Sequence, residues 1–146
     1  MTVRLYTETF LPYRALEEYQ QSRVTGLAKF GATAIFVGSM RDFNEGDTVL
    51  GMTLEYYPGM TEKQLNDIEA EARREWALLD ILICHRVGDI NPGESIVLVA
   101  VWSAHRAEAF AACRYVMEAL KSKAPFWKKE KLSSEVSRWV EHNTPG

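Results

Sequence analysis

Leu120-Lys121-Ser122-Lys123-Ala124-Pro125-Phe126-Trp127-Lys128-Lys129-Glu130 is the stretch around which this chain is organised. It joins an amphipathic helix to a short aromatic strand and crowds four lysines around an Ala-Pro-Phe-Trp step. Pro125 cannot extend a helix and biases Ala124 towards an extended conformation, so the helix is predicted to stop near Lys123. Beyond it the alternation of a strand puts Phe126 and Lys128 on one face and Trp127 and Lys129 on the other. Lys121 and Lys128 then converge on one pocket with aromatic walls. The same residues also read as a basic helix C-terminus that complements the macrodipole, followed by solvated strand lysines.

The 146 residues fit a single domain spanning 1–146, large enough for a real core. Apolar residues make up 47% and charged residues 25%, an ordinary globular composition. No apolar run reaches the ~18 residues needed to cross a bilayer, and Met1-Thr2-Val3-Arg4-Leu5 lacks a signal-peptide core, so no membrane association is expected and a cytoplasmic location is the default. Cys84 and Cys113 each sit in an apolar pattern and read as buried free thiols. A net charge of −3 argues against a general nucleic-acid binder, which needs a broad positive field. It leaves room for a small basic pocket that takes an anion.

Working outward, residues 3–8 alternate as an opening strand, and 12–23 form a short helix with Leu16 and Tyr19 inward, ending before Gly26. Residues 30–40 are strongly apolar and read as a central strand, followed by the polar loop 41–47. A strand over 48–57 stops at Pro58-Gly59. Thr61 and Gln64 make a capping-box pattern with Met60 placed to staple onto Leu65, and Leu65, Ile68, Ala72 and Trp76 form the helix's buried face. Strands over 81–87 and 96–102 flank Asn91-Pro92-Gly93-Glu94 and should pair as a hairpin. Ser103 is the expected N-cap of the last helix, whose inner face carries Phe110, Cys113, Met117 and Leu120. A strand over 125–131, a short segment over 137–141 with Trp139, and a fraying tail close the chain. Hairpins mixed with three helices predict an α+β fold with a mixed, mostly antiparallel sheet.

Three basic groups are candidates for chemistry. Arg41 lies just past the apolar strand beside Ser39 and Met40; a loop ion pair with Asp42 or Glu45 is its alternative. His105-Arg106 opens the last helix, where free N–H groups and the dipole favour an anion; pairing with Glu108 is the alternative there. The third group is Lys121 with Lys128. His85-Arg86 reads as structural, and His142 as solvated. CxxC, HExxH, GxSxG and phosphate-cradling glycine motifs are missing, so metal, serine and nucleotide chemistry lack support and neither metal nor cofactor is expected. Arg106 and Lys121 are fifteen positions apart on one helix, roughly 22 Å. If both serve one small ligand, a dimer that shares its sites is the simplest arrangement.

Taken together, these blocks resemble the catalytic (large) subunit family of molybdopterin synthase. The likeness rests on Gly31-Ala32, Phe36-Val37-Gly38-Ser39-Met40-Arg41, Leu54-Glu55-Tyr56-Tyr57-Pro58-Gly59-Met60, His85-Arg86-Val87-Gly88, Pro92-Gly93-Glu94 and Ser103-Ala104-His105-Arg106. It continues through Glu108-Ala109-Phe110, the 120–130 stretch and Arg138-Trp139-Val140-Glu141, in the same order; at position 40 the family pattern more often has valine. The resemblance implies an α/β hammerhead-type fold and a homodimer, joined into a heterotetramer by two small ubiquitin-like sulfur-carrier subunits. It implies transfer of two sulfurs from the carrier's C-terminal thiocarboxylate to cyclic pyranopterin monophosphate (precursor Z), forming the dithiolene of molybdopterin. By position it makes Lys121 and Lys128 catalytic, and Ser39, Met40, Arg41, His105, Arg106, Lys121, Lys128, Lys129 and Glu130 substrate-binding. The residues agree on separate ground: with no activated cysteine pair, sulfur must arrive from outside, and a lysine beside Phe126 and Trp127 would have a lowered pKa suited to proton transfer. A non-catalytic module docking a carrier tail or a phosphate ligand is the rival reading.

Overall fold

In chain order the elements are β1 (Val3–Tyr6), α1 (Pro12–Arg23), β2 (Ala32–Ser39), β3 (Phe43–Asn44), β4 (Asp47–Thr48), β5 (Gly51–Tyr56) and α2 (Met60–Glu75), followed by β6 (Leu78–Arg86), β7 (Gly88–Ile90), β8 (Ser95–Ser103), α3 (Arg106–Ser122), β9 (Phe126–Lys131) and β10 (Ser137–Trp139). This computed structural model describes residues 2–24, 28–133 and 136–140; Gly26, Glu141, His142 and the tail 143–146 lie outside them.

The first sheet has the order β1-β6-β8-β2, with β1 parallel to β6 and the other neighbours antiparallel. Its two central strands are buried on both faces, and the period of two divides their side chains. Ile81, Ile83, Val97, Val99 and Val101 face α2 and α3, where Leu65, Ile68, Ala72, Ala112, Val116 and Leu120 pack against them. Leu82, Cys84, Leu98, Ala100 and Trp102 face the other way, onto Phe10, Tyr19 and Val24 at α1. Both cysteines are buried and free, and burial pushes each thiol up to about 11.

The second sheet, β10-β9-β5-β7, is antiparallel throughout and closes a smaller core of Met40, Val49, Met52, Leu54 and Ile90. The expected pairing of β6 with β8 is present, but the chain between them first leaves the sheet as β7 to join β5. The α+β class, the three helices and the mixed sheet match the sequence reading.

Several local expectations are corrected. β2 is an edge strand, not a central one, and exposes Ile35 and Phe36; its apolar character serves faces the strand count could not assign. The loop 41–47 folds into the β3-β4 hairpin, turned by Glu45 (φ 51°) and Gly46 (φ 82°). The strand expected over 48–57 breaks at Val49-Leu50, and only Gly51–Tyr56 enters the second sheet. Ser103 does not cap α3: it is the buried last residue of β8, donating to the Ala77 carbonyl, and His105 holds the N-cap position. Phe110 is exposed, because the inner face of α3 is carried by Ala109, Ala112, Cys113 and Val116.

Gly59, not Thr61, caps α2; its N–H donates to Glu62, and Met60 is an exposed first-turn residue rather than a staple. Thr61 is nevertheless fully buried, for another reason. Its hydroxyl accepts from the Tyr57 N–H at 3.0 Å and donates to the Pro125 carbonyl at 3.1 Å. That pair of bonds pins the α3-β9 connection to the start of α2. Thr61→Val, near in shape, strands both backbone groups and should cost about 1–3 kcal/mol, read as a lowered urea midpoint at unchanged slope.

Candidate active site

α3 ends at Ser122 with Lys123 as its C-cap, as Pro125 requires, and β9 starts one residue after the proline. α3 belongs to the first sheet's core and β9 to the second sheet, so the connection spans the seam between them. A cleft of about 440 Å³ opens at this seam. Lys121 from α3 and Lys128 from β9 both line it, with Phe36, Met117, Phe126 and Trp127 among its apolar walls. A side pocket of about 150 Å³ adjoins it and shares Ser39, Ile96, Lys121, Lys128 and Val140. Met40, Arg41, Asn44 and Glu130 complete that pocket.

Burial lowers the Lys128 pKa, and the charges of Lys121 and Arg41 lower it further while Glu130 opposes them. Desolvation comes first: an ammonium taken from water favours its neutral form. The alternation along β9 is as expected, with Phe126 and Lys128 half-buried on one face and Trp127 and Lys129 exposed on the other, although Trp127 also lines the cleft. β2 reaches the cleft through a bulge at Gly38/Ser39. A Cβ on Gly38 would lie 2.8 Å from Val97 Cγ1, so glycine there lets the strand approach β8 closely before Ser39 turns away.

The remaining candidates divide. Arg41 lies over the Phe43 ring at 4.8 Å, while Glu45 lies 3.7 Å from Arg138. Met40 is buried, its N–H donating to the Glu94 carbonyl at 2.9 Å and its carbonyl accepting from Gly93 at 2.8 Å. Glu130 is buried, accepting from Asn44 Nδ2 at 3.0 Å and Arg138 Nε at 2.9 Å. Arg138 also reaches Asp47 at 2.8 Å and the Asn44 carbonyl at 2.9 Å, so Glu130 is the post to which the β3-β4 hairpin and β10 are tied. Lys129 points away from the cleft, over the Trp139 ring. His105 and Arg106 are exposed at the far end of α3 and line neither cavity. Glu108, their expected partner, buries Oε2 without a hydrogen bond among the described residues.

One wall of the cleft was not anticipated. His85, read from sequence as structural, stacks on Phe126 with ring centroids 4.1 Å apart at 14° and lines the cleft beside the lysines. The Phe126 pattern offered a signal, but its ring partner lies on another sheet. Arg86 is the structural residue of that pair, reaching the Asp89 carbonyl and, at 3.8 Å, Glu94.

The family model described as MoaE protein matches residues 12–123. A molybdopterin synthase catalytic subunit from Pseudomonas aeruginosa is 50% identical over 97% of this chain and 91% of its own length. The chain belongs to the MoaE family. A second relative with that description, from Ralstonia nicotianae, is 53% identical over 80% of this chain, and the match spans 65% of the relative, just under two thirds. The crystal structure of molybdopterin synthase from Staphylococcus aureus superposes with a TM-score of 0.85 at 30% identity, covering 97% of this chain and 98% of that one. The MoaE family match stops at 123, short of β9, so Lys128 and the aromatic wall fall to the longer pairwise likenesses.

His85 makes an acid limb predictable. Burial first, then the charges of Lys128 and Lys121, lower its pKa from 6.5 to about 4. The unfolded chain therefore binds a proton between those values that the folded chain refuses. Stability is fully present above pH 6.5 and lost progressively as the pH falls to about 4, by an amount on the order of 3 kcal/mol. In His85→Phe that part of the decline should vanish from denaturation midpoints measured across the same window.

Proposed function

We infer that this MoaE-family chain is an enzyme, working as a molybdopterin synthase catalytic subunit in molybdenum cofactor biosynthesis. In this reading it transfers two sulfurs from the thiocarboxylated C-terminus of a small ubiquitin-like carrier to cyclic pyranopterin monophosphate (precursor Z), forming the dithiolene. The observation that carries the reading is the convergence of Lys121, from a helix packed on the first sheet, and Lys128, from a strand of the second, on one half-apolar cleft. An anionic pterin is held by the cationic side, where Arg41 and the Ser39-Met40 backbone line the side pocket. The carrier's flexible anionic tail enters along the apolar side, past Trp127 and Phe36.

Replacing oxygen by sulfur at a pterin carbon requires a proton for the departing oxygen as the thiocarboxylate sulfur attacks. Water then hydrolyses the resulting thioester, freeing the carrier's carboxylate and leaving a thiol on that carbon. Lys128, whose ammonium is destabilised by burial and by Lys121, gives up a proton more readily than an ordinary lysine. Lys121 lines the same cleft and offers its side-chain N–H donors to the sulfur nucleophile and the developing oxyanion. Lysines 121 and 128 are thus the catalytic pair, and Glu130 acts on the pocket by holding β10 and the β3-β4 hairpin in place through Arg138.

The distant His105-Arg106 pair completes the site from a second copy in this proposal. Among the described residues β2 is a sheet edge, and its Ile35 and Phe36, with Phe110 of α3, line an apolar groove of about 330 Å³ that also reaches Lys121. An apolar groove beside an unpaired edge suits a homodimer interface adjoining the site. Two carrier subunits would make the heterotetramer, and a cytoplasmic location goes with this role; among the described residues no helix is long and apolar enough to cross a membrane.

Incubation with a thiocarboxylated carrier and precursor Z tests the reaction. Wild type should yield molybdopterin, and Lys121→Ala should lower turnover by at least about 10²-fold while its sedimentation stays that of wild type. Full activity in that variant removes Lys121 from the mechanism. Site sharing has its own test: Lys121→Ala and Arg106→Ala, each inactive alone, should regain part of the activity when mixed and allowed to exchange subunits. No recovery after proven exchange means that each chain builds its site alone.

A further inference from the structure

His85 has no part in the proton transfers above, yet its surroundings are built with care. Its Nδ1 lies 2.9 Å from the Arg86 carbonyl, which can only accept, so Nδ1 carries the proton and Nε2 keeps a lone pair. The ring is fixed by its stack on Phe126 and cannot swing to find another partner. Nε2 makes no hydrogen bond among the described residues, but it is not sealed in either. The buried unpartnered atoms among those residues are Arg86 Nε and Glu108 Oε2. Since His85 lines the seam cleft, Nε2 opens into it.

The charged groups that share this cleft with His85 are Lys121 from α3 and Lys128 from β9, while Glu130 and Arg41 line the adjoining side pocket. Nε2 is therefore a neutral acceptor on a wall whose neighbouring lysines only donate. Phosphate and carboxylate oxygens suit the lysines, while a neutral ligand N–H or O–H suits the imidazole.

We propose that His85 is a substrate-positioning residue, its Nε2 accepting a hydrogen bond from an N–H or O–H of the bound pterin while the lysines hold the anionic part. This rests on the reading that the cleft binds precursor Z. The imidazole thereby fixes the rotation of the flat pterin ring, which point charges at the lysines leave free. A charged imidazole would remove the acceptor, and burial among cations keeps the ring neutral to about pH 4.

The test is precursor Z binding, followed by titration calorimetry without any carrier. His85→Phe keeps the stack and removes the nitrogen; its Kd should rise roughly tenfold, the loss expected for one hydrogen bond in a water-poor site. His85→Gln, whose amide oxygen can reach the position of Nε2, should recover most of that loss. In wild type, the ¹⁵N resonance of a bare Nε2 should move on saturation with precursor Z, a readout that needs no variant to fold. A Phe variant binding like wild type, or an Nε2 signal indifferent to ligand, overturns the role of His85 alone. Wild-type protein that binds no precursor Z overturns the functional reading along with it.

Discussion

Two lysines facing one cleft, Lys128 half-buried and Lys121 more exposed, are the constraint to which the other features answer. Like charges repel, and burial adds a desolvation cost at Lys128, so its place in the cleft has to be imposed by the backbone. Lys121 is committed by the packing of α3 on the first sheet, and Lys128 by the register of β9 against Leu54 in the second. Neither element can rotate its lysine outward without losing a buried face. Depressed basicity at Lys128 is the direct consequence.

The seam between the sheets is what makes this possible. On one strand, lysines seven residues apart would face opposite sides. Here the chain turns at Ala124-Pro125 from one sheet's helix into the other sheet's strand, and Thr61 ties that turn to α2. The His85-Phe126 stack bridges the same joint from below, one ring on β6 and one on β9. Glu130 and Arg138 brace the opposite side, where the β3-β4 hairpin meets β10. Structural and chemical residues are interleaved along β9, because alternate positions face the cleft and the solvent.

Much of the fold was legible because local rules and burial agree. The near-continuous apolar runs in 81–84 and 96–102 match strands buried on both faces, and Pro125 ends the helix before it. The misreadings share one cause. Phe110, Ile35 and Phe36 are apolar, and a single chain's pattern cannot say whether apolar residues face its own core or an outer groove. Ser103 and Thr61 have the chemistry of caps, but their hydroxyls serve the Ala77 and Pro125 carbonyls, contacts made across 26 and 64 positions.

Residue order alone determined the α+β class, the helix stop before the aromatic strand, and the cationic identity of the cleft, since each follows from backbone geometry and side-chain chemistry within a short span. Tertiary structure alone decided that Arg41, Lys121 and Lys128 meet while His105 and Arg106 stay apart from them in the same chain. It also decided that His85 is a wall of the site. Its ring partner and its charged neighbours come from elements 35 to 45 positions away, and no local pattern reports a contact whose partners are set by how two sheets dock.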